Sequence, residues 1–186
     1  MTLPQKIVLI SGSPRRKALL RAAQFQVEVQ RPDVDETMPD GPVEDAILAV
    51  AERKLDSVGV EDDLCLAADT AVLFGGKILG KPQDRADAQR MLEALSGRDH
   101  RVVTGFVLGR GEQRHRQAVS TRVRFRELRR EEIEAYVATG EADDKAGSYG
   151  IQGLGGSLVD FVEGSYTNVI GLPLREVIEA VQETTE

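Results

Sequence analysis

The chain reads as an α/β or α+β protein with two lobes on one continuous core, and three observations predict this. Short apolar runs such as Ile7-Val-Leu-Ile10 alternate with segments of helical spacing. Turn residues separate them, with no long linker and no internal repeat. The alternation is not strictly β-α-β, because some strand-like runs follow one another directly. At 186 residues the chain can bury roughly 70% of its unfolded surface, enough for one substantial domain spanning residues 1–186.

Lys6–Ser11 is expected to be a buried strand. Gly12 permits a sharp turn, and Ser13-Pro14 opens a helix over Pro14–Ala23, since serine is a favoured N-cap and proline fits the first helical position. Phe25–Gln30 alternates apolar and polar residues and forms a second strand. Arg31–Pro42, with three prolines and four acidic residues, is a loop. Ala46, Ile47, Val50, Ala51, Lys54 and Leu55 form a stripe at helical spacing over Val43–Ser57. Leu64–Ala68 and Ala71–Phe74 are two short strands, and Gly75-Gly76 turns the chain into Lys77–Leu79. Asp84–Leu95 is a helix ended by Ser96-Gly97. Arg101–Leu108 and Gln117–Phe125 are longer strands joined by a polar loop. Arg130–Thr139 is a helix stopped by Gly140. The glycine-rich Gly147–Gly156 leads into a strand at Ser157–Val162, and a final helix covers Leu174–Gln182 before a fraying tail.

The net charge of −7 argues against a general nucleic-acid surface, which needs clustered positive charge. A small anion in a locally basic pocket stays compatible with it. The single cysteine, Cys65, excludes an internal disulfide framework and fits a reducing compartment. It sits in an apolar run and is expected to be buried. There is no apolar span of about 18 residues and no basic segment before a signal-type core, so a cytoplasmic protein without membrane association is expected.

Five segments carry candidate chemistry. Ser11, Ser13, Arg15 and Arg16 surround a helix start, where unpaired N–H groups and the dipole favour an anion. Two arginines in a first helical turn oppose that dipole unless something strongly negative visits, and phosphate leads. Asp69 interrupts two apolar runs where a strand emerges, a position for a metal ligand or a general base. Thr70 beside it can contact a base or a phosphate. Lys81, pinned between Gly80 and Pro82, and Lys54, on the apolar side of its helix, can each meet an anion. Asp33, Asp35 and Glu36 could hold a hard cation near Asp69. In the glycine-rich segment the backbone could approach a ligand closely, and Gln152 is its one amide able to read a base edge. Arg122, Arg124 and Arg126 look like a solvated strand face. His100 and His115 lack metal-ligand spacing.

In order along the chain, Ser11-Gly-Ser-Pro-Arg-Arg16, Asp35-Glu36, Ala49-Val-Ala-Glu-Arg-Lys54, Ala68-Asp-Thr70, Gly80-Lys-Pro82, Leu95-Ser-Gly97 with His100, Gly140-Glu141, Asp144-Lys-Ala-Gly147, Tyr149-Gly-Ile-Gln-Gly153 and Gly171-Leu-Pro173 resemble the Maf family of nucleoside triphosphate pyrophosphatases. Ala67 stands where that family usually has glycine. The resemblance implies an elongated fold related to inosine triphosphatase, a mixed sheet with helices and two lobes around a deep cleft. It also implies hydrolysis between the α- and β-phosphates, a divalent metal (Mg²⁺ or Mn²⁺) and a homodimer. By position, Asp69 matches the proton acceptor, and Arg15, Thr70 and Gln152 match residues of base selection. Ser11, Arg16, Glu36, Lys54 and Lys81 match residues lining the triphosphate cleft, and Glu36 and Asp69 are the expected metal ligands. The Arg–Thr–Gln combination resembles the subgroup acting on dTTP and UTP, with CTP and modified pyrimidine nucleotides open as further substrates. A nucleotide-binding regulator of cell division and an inosine/xanthosine triphosphatase stay open as alternatives.

Overall fold

Successive residues of a strand point to opposite faces, so an unbroken run such as Ile7–Ile10 needs cover on both sides. The computed structural model describes residues 6–59 and 62–185. In chain order these form β1 (Lys6–Ile10), α1 (Pro14–Ala22), β2 (Gln26–Gln30), α2 (Val43–Asp56), β3 (Cys65–Phe74), β4 (Lys77–Leu79), α3 (Arg85–Leu95), β5 (Asp99–Arg110), β6 (Gln113–Phe125), α4 (Arg130–Ala138), β7 (Val159–Glu163), α5 (Tyr166–Ile170) and α6 (Leu174–Thr185). Two short 3₁₀ turns lie at Ala146–Ser148 and Leu154–Leu158. The strands make one mixed sheet of seven in the order β2-β1-β3-β5-β6-β7, with β4 paired to β3. The α/β class expected from the sequence is the one observed.

The chain divides into two compact units. The first takes in the chain up to Thr70, Thr104–Val119 and Gly171 onward. Here β1 lies parallel to both β2 and β3. Ile7 and Leu9 pack with Leu66, Ala68, Phe106 and Leu108 against Leu20 of α1 and Val177 and Val181 of α6. Val8 and Ile10 pack with Cys65, Ala67 and Val107 against Ala51 and Leu55 of α2. Each fully buried leucine, isoleucine or valine contributes about 1.5–3 kcal/mol. The sheet therefore has an α1/α6 face and an α2 face. Strand β2, at the edge, presents exposed Gln26, Glu28 and Gln30, which discourages further pairing.

The second unit comprises Ala71–Val103 and Ser120–Ile170. Its core joins Val72, Val102, Val123 and Phe125 to Ala88, Leu92 and Leu95 of α3 and Ile133, Tyr136 and Val137 of α4. The side chain of Asp84 caps α3 by accepting from the Asp87 N–H at 2.7 Å.

Several boundaries differ from expectation. Leu64–Ala68 and Ala71–Phe74 belong to one strand, β3, because Asp69 and Thr70 keep extended backbone through the polar interruption. Strands β5 and β6 are longer than their apolar stretches and meet at the tight turn Gly111-Glu112, not in a polar loop. The first half of β6, Gln113-Arg-His-Arg-Gln117, is polar on both faces and so carries no alternation to read. The short helix α5 was not foreseen. Helix α6 continues to Thr185, and of the expected fraying tail Glu186 lies outside the described residues.

Candidate active site

The site in the first unit begins where β1 ends. The β1–β3 register runs from Val8–Cys65 to Ile10–Ala67, so β3 continues past its pairing with β1 into Asp69 and Thr70. Asp69 thus does not lie at the end of its own strand. It emerges because the neighbouring strand stops. This is the carboxyl end of parallel strands, where open α/β sheets place ligand sites.

Strand alternation then sends the two side chains to different helices. Asp69 shares the face of Cys65 and Ala67, toward α2. There its Oδ1 accepts a hydrogen bond from Lys54 Nζ at 2.7 Å. Lys54 occupies the last turn of the buried α2 stripe, where the helix dipole favours a cation, and its side chain is only 5% exposed. The same ammonium lies 3.0 Å from Glu36 Oε1. Asp69 is 15% exposed and Glu36 58%, so the cluster opens toward solvent on the Glu36 side.

Thr70 shares the face of Leu66 and Ala68, toward α1. Its hydroxyl accepts from Arg16 Nη2 at 2.9 Å and lies 2.9 Å from the Thr104 hydroxyl. Arg16 also donates through Nε to the Gly171 carbonyl at 2.7 Å and through Nη1 to Ser11 Oγ at 3.1 Å. Burial pulls its guanidinium below the ordinary value, opposed by the charge of Asp69. Arg16 is therefore first an internal tie joining α1, β3 and the Gly171 turn, with at most its remaining N–H groups left for phosphate.

Ser13 caps α1, accepting from the Arg16 N–H at 3.4 Å, and Ser11 Oγ accepts from the Ser13 N–H at 3.1 Å. Arg15 is half-buried. Gly12 lacks the left-handed φ, and a Cβ there would meet nothing within 4 Å, so the turn itself does not require glycine. The acidic loop divides. Asp35 accepts from the Thr37 N–H at 2.8 Å and pairs with Arg53 at 3.7 Å; hydrogen bonding from the Thr37 hydroxyl, then from its N–H, holds the carboxyl below the ordinary range. Glu36 alone reaches Lys54 within it. Asp33 is exposed.

Lys81 and Gln152 belong to the second unit, and both are exposed. The Lys81 loop is fixed by a hydrogen bond from Gly147 N–H to the Gly80 carbonyl, at 3.1 Å. The glycines around Gln152 do not open the backbone to a ligand as expected. A Cβ on Gly153 would lie 2.3 Å from Glu141 Oε2, and one on Gly155 would lie 2.6 Å from the Gly150 carbonyl oxygen. The chain's own groups occupy that space.

Sequence reasoning missed Thr104 and Tyr136, and it quoted Glu141 and Gly171 as motif residues without a role. Thr104 has a signal, being a lone hydroxyl inside the apolar run Val102–Leu108. A backbone carbonyl has none. The discounted residues are where expected. Arg122 pairs with Asp99 and Glu163 at the surface, Cys65 is buried, and His100 is a core residue donating to or accepting from Tyr149 Oη at 2.7 Å. No cluster of three or more His, Cys, Asp or Glu side chains suited to a metal occurs among the described residues. None of their helices is long and apolar enough to cross a membrane.

Residues 6–184 match the family model described as Maf-like protein. A protein of Geotalea uraniireducens (strain Rf4) named dTTP/UTP pyrophosphatase is 46% identical, with 98% of this chain and 96% of that one covered. One of Desulfitobacterium hafniense (strain Y51) with the same name is 49% identical, covering 93% and 82%. Among solved structures, the Ham1 protein of Staphylococcus aureus aligns over 97% of this chain and 100% of its own, with a TM-score of 0.52 and 12% identity. That likeness speaks to the fold alone.

Proposed function

Since the chain belongs to the Maf family, we propose that it hydrolyses dTTP and UTP to the nucleoside monophosphate and pyrophosphate. Relatives at 43–49% identity bearing the name dTTP/UTP pyrophosphatase support the substrate class. The observation that carries the chemistry is the Glu36–Lys54–Asp69 cluster at the carboxyl end of β1.

In this reading Asp69 is the general base. Lys54 holds its Oδ1, which fixes the carboxylate's orientation. The other oxygen is left to align a water and take its proton as the water oxygen bonds to the α-phosphorus. The bond from that phosphorus to the bridging oxygen breaks, and pyrophosphate leaves with the electron pair. Lys54 and the Arg16 N–H groups not spent on internal bonds supply positive charge to the triphosphate, a role also assigned to the exposed Lys81. Ser11 and Ser13 shape the turn before α1, whose N-terminus favours a phosphate oxygen. Arg16 holds Thr70 and the Gly171 turn in register, and base selection falls to Arg15, Thr70 and Gln152.

Glu36 and Asp69 are hard oxygen donors that meet on one ammonium, and this donor set fits a divalent cation such as Mg²⁺ or Mn²⁺ completed by phosphate and water oxygens. When bound, such an ion neutralises charge on the phosphoryl oxygens and the leaving pyrophosphate.

The test is pyrophosphate release from a panel of nucleoside triphosphates with Mg²⁺ or Mn²⁺. UTP and dTTP should be hydrolysed in preference to purine nucleotides, and Asp69→Asn should lower kcat by about 10²–10⁴-fold. Near-normal turnover by that variant would remove Asp69 from the mechanism.

A further inference from the structure

The geometry points to Glu141 as a positioning residue for substrate selection, one that holds the Gln152 loop at both its flanks through a single hydrogen-bonded unit with Tyr136. The proposal rests on reading Gln152 as the residue that meets the base.

Glu141 follows α4 directly, after the turn at Gly140. Its Oε2 accepts from the Leu154 N–H at 2.9 Å and its Oε1 from the Gly155 N–H at 2.9 Å. These are the bonds just beyond Gln152. The Tyr136 hydroxyl, on α4, donates to Glu141 Oε1 at 3.0 Å and accepts from the Gly150 N–H at 3.2 Å. That is the bond just before Gln152. One carboxylate and one phenol thus satisfy the N–H groups of Gly150, Leu154 and Gly155. A bond from Gly153 N–H to the Gly150 carbonyl, at 3.3 Å, closes the turn between the two anchors. Gln152 stands at its tip, exposed.

The glycines of the loop fit the same account. The Glu141 carboxylate fills the space where a Gly153 side chain would stand, and Tyr136 Oη lies 2.8 Å from where a Cβ of Gly155 would be. Burial would raise the Glu141 carboxyl pKa, but the two backbone N–H donors and the phenol together hold it below the ordinary value. The carboxylate is therefore charged, and charged acceptors make the stronger hydrogen bonds. An amide read through one donor and one acceptor tolerates little displacement, so a loop held on both sides of Gln152 is what discrimination between bases requires.

The experiment compares kcat/KM for UTP and ATP in the wild type, Gln152→Ala, Glu141→Gln and the double variant, with melting curves to verify folding. Glu141→Gln keeps the shape but removes the charge and one acceptor. The UTP-to-ATP ratio is expected to fall about tenfold in Glu141→Gln, mainly through KM for UTP, with no further fall when the change is added to Gln152→Ala. Tyr136→Phe, which removes only the hydroxyl, should move the ratio in the same direction and carries the test if Glu141→Gln does not fold. An altered ratio in Gln152→Ala with an unaltered one in Glu141→Gln and Tyr136→Phe overturns the positioning role and leaves the reading of Gln152 standing. An unaltered ratio in Gln152→Ala overturns both.

Discussion

Lys54 is the residue whose surroundings say most about the chemistry. Its nearly buried ammonium touches Asp69 and Glu36 at 2.7 and 3.0 Å. A lysine stem can lie along an apolar helix face with its head in water. Here the head instead turns to two carboxylates. Removing it would leave Asp69 Oδ1 without its 2.7 Å donor and take away the ammonium that Asp69 and Glu36 share. Lys54→Met is expected to lower kcat/KM for UTP by about 10²–10³-fold and stability by about 1–3 kcal/mol, read from steady-state kinetics and urea unfolding. Unchanged kinetics with lowered stability would make Lys54 purely structural. Adjacent in sequence, Arg15 and Arg16 differ because helix geometry turns them about 100° apart. Arg16 reaches the Gly171 carbonyl, Ser11 and Thr70.

At the scale of elements, the packing of β5 and β6 with the turn after Ala146–Ser148 has a measurable signature in His100. Its ring lies edge-on to Phe125 at 5.0 Å and to Tyr149 at 5.4 Å. Nδ1 is buried with no hydrogen-bond partner among the described residues, so protonating it would place an uncompensated charge in the core. Burial pushes the His100 pKa down from 6.5 to about 4. Above pH 6.5 neither the folded nor the unfolded chain takes up this proton. Between pH 6.5 and 4 the unfolded chain gains it and the folded chain does not. Stability therefore falls as pH drops through that window, by about 3 kcal/mol from this group. His100→Asn should flatten that part of the pH–stability curve, measured by urea unfolding from pH 7.5 to 4. An unchanged slope would show that His100 titrates normally. The element scale also explains why β3 was expected as two strands. Hydropathy sees Asp69-Thr70 as a break, whereas the backbone ladder runs through, because each side chain has its own polar partner on its own face of the sheet.

For the whole molecule, ligand binding is the property that integrates these parts. A non-hydrolysable α,β-methylene analogue of UTP with Mg²⁺, at 100 times its Kd, should stabilise the fold by about 2.7 kcal/mol. For a chain of this length that is a Tm rise of about 5–10 °C. The corresponding ATP analogue at the same concentration should shift Tm less, and equal shifts would count against pyrimidine selection. The net charge of −7 leaves this compatible, since a small anion answers to the local field of its pocket and not to the net charge.

Periodicity and turn chemistry in the sequence were enough to determine the α/β class, most elements to within a few residues, the capped start of α1 and the buried stripe of α2. These are consequences of neighbours in sequence. Ordered motifs also pointed to Asp69, Lys54, Glu36 and Gln152. The partners were decided only by the tertiary structure. Nothing local tells that β1 stops one pair before Ala68, that Thr70 meets Arg16 across 54 positions, or that the glycines near Gln152 make room for Glu141. Those facts arise from sheet register and from the filling of space between distant segments, where a one-residue shift would exchange the α1 and α2 faces and separate Asp69 from Lys54.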